Sequence, residues 1–406
     1  MTESLLFTMA LGLQDPWFVK NIEFKEGLKN EKELHLIIDH KPRVKFDVEG
    51  ESCSVYDHVQ RSWRHLNFFQ HVCYLHARVP RVKTSNGNVL NVDLPWSQPG
   101  SSFTLLFEAL VVALAKSGMS MLAIGNYLNI SDKSAFNIVS NLVVECLANQ
   151  SLDDCERLCI DETSCKKGHE YLTILSDIDD QKVVGIGFGK DVNAAKMALS
   201  EMTFRSANPS ATKAICMDMS PSYISFAKTS LPQADIVFDK FHISALLNKA
   251  VDDVRKKEHK EKDGLKKTKF LWLKNFDNLN VNNQEKVNYL KLCFPKLGEA
   301  HRLKELFREV WNQTDPIQIA KQMAIWIEMA LESKIKPIIE FVQTLERHME
   351  GIEAYFKHIV TNALAESLNA RIQVIKRIAK GYKNKYNFKL MIYFHLGGLD
   401  LNIPTK

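Results

Sequence analysis

RLCIDETSCKKGHEYLTILSDIDDQKVVGIGFGK, residues 157 to 190, is the stretch from which the fold can be worked out. Two adjacent carboxylates, Asp161 and Glu162, close a short apolar run. Two β-rich runs follow, Glu170 to Ile178 and Lys182 to Phe188. The polar trio Asp179, Asp180 and Gln181 between them suits a hairpin turn. A carboxylate at the tip of a buried strand is costly unless something cationic meets it. A helix N-cap or an ion pair is the ordinary explanation, and on this stretch alone it is the better one.

Downstream, the alternation continues in a fixed order. Asp191 to Met202 reads as a helix, Lys213 to Met217 as a buried strand ending in Asp218, and Pro221 to Thr229 as a helix with Ser220 at its N-cap. Ala234 to Phe238 is another strand, ended by Asp239, and a helix from His242 to about Lys257 follows. Three hairpin-type strands, a helix, then strand, helix, strand, helix is the element order of a ribonuclease H-like α/β domain. In that arrangement the strands ending in Asp161 and Asp218 lie side by side, so their carboxylates converge.

Upstream, residues 1 to about 95 read as a small β-rich module. Segments 33–39, 43–48, 73–84 and 89–95 alternate like half-buried strands, with Asn86-Gly87 as a hairpin turn. Arg61, Trp63, Arg64, His65, Phe68 and Phe69 interleave basic and aromatic side chains. Such a face can hold a phosphate backbone, and a β-domain with Lys and Arg on its wet side looks the same. PWSQPGS, 95–101, reads as a linker. Beyond it, helices at 103–117 and 119–128, a turn at 129–131 and a helix from Asp132, capped by Ser131, have helix-turn-helix spacing. Lys133, Ser134 and Asn137 are the exposed residues at the start of that last helix.

Composition bounds the class. The chain has 406 residues, 45% hydrophobic and 25% charged, enough for two or three cored domains. The net charge of +5 is too mild to argue a nucleic-acid partner by itself. Eight cysteines without a CxxC spacing suit reduced thiols in a cytosol. The apolar run Leu5 to Leu13 is too short to span a bilayer, so a cytoplasmic protein with no membrane partner is expected.

A helical region, 260–351, contains Trp272, Trp311 and Trp326, read as core. After it comes TNALAESLNARIQVIKRIAKGYKN, 361–384. On a helix, Glu366, Asn369, Gln373, Lys376 and Lys380 form one polar stripe, while Leu368, Ile372, Ile375 and Ala379 turn inward. Arg371, Lys376, Arg377 and Lys380 continue without an acid, as a solvated face or a DNA-phosphate contact.

Three separated segments, CIDETSCKKGHEYLTILSDID, AICMDMSPSYISFAKTSLPQADIVFDKFHISALLNKAVDDVRKKE and NALAESLNARIQVIKRIAKGY, together resemble the DDE transposases of bacterial insertion sequences, of the ISL-three (ISL3) group. Residues 55–83 and 95–114 are similar to the same family's N-terminal region. The resemblance implies Asp161, Asp218 and Glu366 as catalytic and metal-holding residues, at spacings of 57 (218 minus 161) and 148 (366 minus 218). It implies an α/β ribonuclease H-like core, 151–259 and 352–406, with an all-α insertion at 260–351. A β-rich DNA-binding module, 1–95, and a helix-turn-helix, 96–150, precede that core. Glu162, Asp239, His242 and Asn369 are the candidates for support behind the carboxylates. For Asp239 and His242 a capped helix start with a packed His competes equally, and for Glu162 an exposed ion pair does. Arg61, Arg64, Lys133, Asn137, Arg371, Lys376, Arg377 and Lys380 are the candidates for contact with DNA.

The chemistry implied is metal-dependent cleavage of DNA at the terminal inverted repeats of an element and joining of the 3' ends to target DNA. Two magnesium or manganese ions about 4 Å apart serve such a reaction, and hard cations take oxygen ligands. The same carboxylates would also serve a structure-specific nuclease, and the helix-turn-helix a silent DNA-binding regulator. Double-stranded DNA, a homodimer or higher oligomer on it, and a nucleoid-associated place in a bacterial cytoplasm go with the first reading. One departure stands out. The family carries cysteine pairs before the VYDH motif and after PRVK, where this chain has only Cys53 and none; His58, His65, His71 and His76 are the alternative ligands, but the expectation is no structural zinc.

Overall fold

The structure, a computed structural model, describes residues 2–27, 32–166, 170–313, 315–358 and 363–403. Its chain divides into two compact units, residues 1–146 with 399–406, and 147–398.

In the first unit the apolar N-terminal run folds as a helix, α1 (Glu3–Ala10), capped by Thr2. Strands β1 (Trp17–Glu26), β2 (Lys32–His40), β3 (Lys45–Val48), β4 (Glu51–Phe68), β5 (His71–Lys83) and β6 (Val89–Asn91) form one sheet. Its order is β1-β2-β5-β4-β3, with β6 on β5. The Asn86-Gly87 hairpin forms: Gly87 adopts φ +82°, and the Thr84 N–H donates to the Asn88 carbonyl over 2.9 Å. The expected linker is instead part of the core, because Trp96 is buried and packs edge-on against Trp17 and Trp63. Helices α2 (Leu105–Lys116), α3 (Met121–Leu128) and α4 (Asp132–Asn149) follow. They bury Phe107, Val111, Ile124, Leu128, Ala135 and Val139 at apolar positions of helical period.

The second unit is built on β7 (Arg157–Lys166), β8 (Glu170–Asp177), β9 (Lys182–Phe188), α5 (Val192–Phe204), β10 (Ala214–Met217), α6 (Pro221–Ser230), β11 (Asp235–Phe238) and α7 (Lys240–Glu261). The sheet order is β11-β10-β7-β8-β9. The β7, β10 and β11 strands run parallel, while β7, β8 and β9 pair antiparallel. Strands covered on both faces become continuous apolar runs, as in Ala214–Met217, where every residue is buried. Helix α5 sits so close on β9 that a Cβ at Gly187 would lie 1.8 Å from the Ala194 carbonyl oxygen, and one at Gly185 2.1 Å from that of Ala198. Only glycine permits that approach.

Helices α8 (Lys269–Leu273), α9 (Val281–Cys293), α10 (Pro295–Trp311), α11 (Pro316–Glu332), α12 (Lys336–Arg347) and α13 (Met349–His358) then intervene before α14 (Ala363–Ile378) and α15 (Lys385–Leu396). Trp272, Trp311 and Trp326 are core residues, as expected, each no more than 5% exposed. One apolar core runs through the sheet and helices α5 to α13, reaching Ala365 at the start of α14. No helix among the described residues is long and apolar enough to cross a membrane.

Candidate functional site

Strand β7 buries Leu158, Cys159 and Ile160, leaves Asp161 and Glu162 half-buried, and buries Thr163 and Cys165 again before Lys166 is exposed. Strand β10 is paired in parallel with it, Cys216 opposite Cys159. Asp161 and Asp218 each stand two residues past that pair. The third parallel strand ends in the same way, with Met217 opposite Phe238 and Asp239 next in the chain. Three aspartates therefore follow buried segments of three adjacent parallel strands.

Their surroundings differ. Asp161 Oδ1 accepts the Glu162 N–H over 2.8 Å, and Asp218 Oδ1 accepts that of Ser220 over 3.0 Å. The Ser220 side chain makes no cap bond to α6. Burial pushes the Asp161 carboxyl up to about 6; the charges of Glu162 and Asp218 add to the rise, while the Glu162 N–H and His242 oppose it. Asp239 is fully buried and caps α7 through Oδ1, which accepts the Phe241 N–H over 3.2 Å. Its Oδ2 has no hydrogen-bond partner among the described residues, and His242 Nε2 lies 3.8 Å away. Behind the sheet Tyr223 is buried, with its hydroxyl 3.2 Å from Thr173 Oγ1.

Helix α14 lies along β7 through its polar stripe. Asn369 Nδ2 donates to Asp161 Oδ2 over 2.6 Å, Gln373 Nε2 to Thr163 Oγ1 over 3.0 Å, and Lys376 Nζ to the Ser164 carbonyl over 2.9 Å. The periods match: four helical residues advance about 6 Å and two strand residues about 6.6 Å. Leu368, Ile372 and Ile375 are buried on the opposite side of the stripe. Glu366, exposed, stands three residues before Asn369 on that stripe. The charge of Asp218 is felt at Asp161, while Glu366 is one helical turn from the residue that touches Asp161. No three His, Cys, Asp or Glu side chains are gathered as a metal-holding group among the described residues. Thr163 escaped sequence reasoning, although its two-residue spacing from Asp161 was the available signal.

Among the expected DNA contacts, Lys133 and Asn137 are exposed at the start of α4, and Arg371, Arg377 and Lys380 on or just past α14. The turn before α4 forms as expected, with Asn129 at φ 56° and the Ser134 N–H donating to Ser131 Oγ over 2.9 Å. Arg61 is half-buried over the Trp63 ring. Two expectations need correction. Arg64 is 6% exposed and donates to the carbonyls of His65 and Cys73 and to Asn67, so its guanidinium is held inside the module. Lys376 is committed to β7, which makes it an anchor for α14.

Comparison with known proteins adds three family matches. A family model described as "Transposase" matches residues 158–392, the helix-turn-helix domain of transposase family ISL3 matches 92–143, and the zinc-finger of transposase IS204/IS1001/IS1096/IS1165 matches 50–85. The chain is 29% identical over 245 residues to the transposase for insertion sequence element IS1001 of Bordetella parapertussis, covering 58% of this chain and 60% of that one. It is 24% identical over 439 aligned positions to the transposase for insertion sequence element IS1557 of Mycobacterium tuberculosis, covering 99% of this chain and 97% of the relative.

The zinc-finger match corrects the expectation of no structural zinc, since a zinc-ribbon domain is present at 50–85. The thiols of that segment do not by themselves fit a closed four-ligand site. They are Cys53 and Cys73, both buried in the apolar core of the sheet. Glu51, just ahead of Cys53, accepts the N–H and hydroxyl of Ser85, two residues past PRVK.

Proposed function

We propose, because the chain belongs to the ISL3 family of DDE transposases, that Asp161, Asp218 and Glu366 are its catalytic carboxylates and hold two divalent ions, magnesium or manganese. The observation that carries this reading is the Asn369–Asp161 hydrogen bond, which sets the Glu366 stripe against the strand bearing Asp161. Three carboxylates make a hard oxygen donor set, the kind such cations take. The Asp161 carboxyl, raised first by burial and then by Glu162 and Asp218, and the unpartnered Asp239 oxygen are consistent with a buried acidic pocket that a cation would stabilise.

Bound metal supplies activation of the attacking water or 3'-hydroxyl and neutralises charge on the phosphate and leaving oxygen. Asp161 and Asp218 contribute as ionised ligands, which for Asp161 requires a pH above its raised value. Asn369 holds Asp161 Oδ2 in one direction, and Lys376 and Gln373 keep α14 in register with β7. Asp239 and His242 support the pocket from the third parallel strand, and Glu162 adds negative charge on the far side of β7. Hydrolysis leaves a 3'-hydroxyl on the element, and attack of that hydroxyl on a target phosphodiester joins the two DNAs.

The strand order β11-β10-β7-β8-β9 supports a ribonuclease H-like core at 151–259 and 352–406, with 260–351 as the all-α insertion. Residues 1–95 and 96–150 are the DNA-binding modules. Arg61, Lys133, Asn137, Arg371, Arg377 and Lys380 contact double-stranded DNA, the terminal inverted repeats and the target alike. Work on paired element ends calls for a homodimer or larger assembly, and a bacterial nucleoid is where the substrate lies. The test is to incubate purified chain with its own flanking DNA and magnesium. Nicks at the element ends support the reading; binding without nicks under any divalent ion would leave a DNA-binding regulator.

A further inference from the structure

His40, at the end of β2, and His58, in β4, face each other with their Nε2 atoms 3.0 Å apart and their ring planes within 13°. His40 Nδ1 lies 2.8 Å from the Lys41 carbonyl oxygen. A carbonyl only accepts, so Nδ1 carries the proton and the lone pair of the neutral ring sits on Nε2, aimed at His58. Edge-on contacts to Trp17 and Phe46 hold the His40 ring in this orientation. His58 is exposed, and its Nδ1 makes no hydrogen bond among the described residues, so it can take the proton and free Nε2. A histidine whose outer N–H is fixed by a backbone carbonyl is the usual arrangement at a metal site.

We propose that His40 and His58 form a two-histidine site for a divalent transition ion, zinc foremost, with water completing its shell, and that the ion clips the end of β2 to β4. Imidazole pairs select zinc, copper and nickel over magnesium. Zinc–nitrogen bonds of about 2.0–2.1 Å in a tetrahedron put two ligand nitrogens roughly 3.3 Å apart, so the pair has to open by about 0.3 Å. Burial, and then His40 and Arg78, oppose positive charge on the His58 ring, while Asp39 and Asp57 favour it; the net effect holds the ring neutral, the form that ligates a metal. Asp39 is shared with Lys20 and Arg78, and Asp57 with Arg81. A second pair, His35 Nδ1 and His76 Nε2, is only 2.7 Å apart. Its His76 Nδ1 is taken by the Ser62 hydroxyl, Glu33 lies 3.3 Å from His35 Nε2, and the pair would have to open about twice as far. His58 lies inside the segment matched by the zinc-finger model, and the two thiols of that segment, Cys53 and Cys73, are buried in the apolar core. The site needs neither the catalytic carboxylates nor the reading placed on them.

The experiment uses the full chain in excess magnesium, titrated with zinc by calorimetry and loaded with copper(II) for electron paramagnetic resonance. His58→Gln, at an exposed position, should lose one zinc equivalent or bind it at least tenfold more weakly, and should lose nitrogen hyperfine coupling from the copper signal. Its melting temperature without metal should be unchanged, while the rise that zinc gives the unsubstituted chain should disappear. His71→Gln, on β5, should behave like the unsubstituted chain. Unaltered zinc stoichiometry and affinity in His58→Gln, or an equal loss in His71→Gln, would overturn the proposal.

Discussion

Asn369 on α14 reaches Asp161 on β7 over 2.6 Å and holds the carboxylate oxygen that Glu162 does not. The bond joins two residues 208 positions apart and is how α14 aligns on the strand. Removing it in Asn369→Ala leaves Asp161 free to rotate. Cleavage should then fall by about 10- to 100-fold, the usual cost of losing a residue that orients a metal ligand. DNA affinity should stay within about twofold. Equal losses in binding and cleavage would make Asn369 merely structural.

Asp161 predicts a pH signature. Its folded-state carboxyl, pushed up to about 6 by burial and then by Glu162 and Asp218, lies above the unfolded value of about 3.9. The folded state therefore holds the extra proton between those values, and metal-free stability falls as pH rises through that window, by up to about 3 kcal/mol. Above pH 6 the ionised group is a standing cost that bound metal relieves. Melting curves with and without magnesium should diverge as pH climbs from 5 to 8 and converge below 5. Parallel curves across that range would show that Asp161 does not bind the ion.

The cationic end of α14 should separate into two behaviours. Arg371, Arg377 and Lys380 are exposed, so converting all three to Ala should weaken binding to any DNA and lower the salt slope by up to about three phosphate contacts. Lys376→Ala should instead lower the melting temperature, with little change in salt slope, because its ammonium is bonded to the Ser164 carbonyl. Filter binding across a salt series distinguishes the two.

Gly187→Ala tests the packing behind the site. A methyl group there meets the Ala194 backbone at 1.8 Å, and a carbonyl in a helix cannot give way, so α5 must move off β9. A loss of at least about 2 kcal/mol by denaturant titration is expected. A neutral effect would mean that α5 packs less closely than described.

Much of this was legible in the residues themselves, for physical reasons that also mark where legibility stopped. Apolar runs ending in Asp218 and Asp239 announced strands with polar tips, and β7 and β10 do lie side by side, but β7 continues through Asp161 to Lys166 because its polar half still pairs with β8. The 366-369-373-376 stripe marked the face of α14 that meets β7. Strands β1 and β4 were missed as whole elements. Charged and aromatic residues break the alternation of β4, whose register with β5 shifts between Val55 and Asp57 and again between His65 and Phe68. Trp96 sat in a Pro- and Gly-rich segment that reads as a linker, and only its ring contacts with Trp17 and Trp63 place it in a core. Arg64 looked like a DNA contact because one-dimensional patterning does not tell a guanidinium facing water from one that meets buried carbonyls.

The most direct measurement pairs DNA binding with strand cleavage for Asp161→Asn, on supercoiled DNA carrying the element ends, in magnesium and in manganese. The substitution keeps the shape and removes the charge. Binding should persist within about twofold, cleavage should fall by about a thousandfold or more, and the melting temperature in magnesium should no longer rise. A variant that still cuts at the unsubstituted rate would contradict the assignment of Asp161, and with it the metal-holding carboxylates.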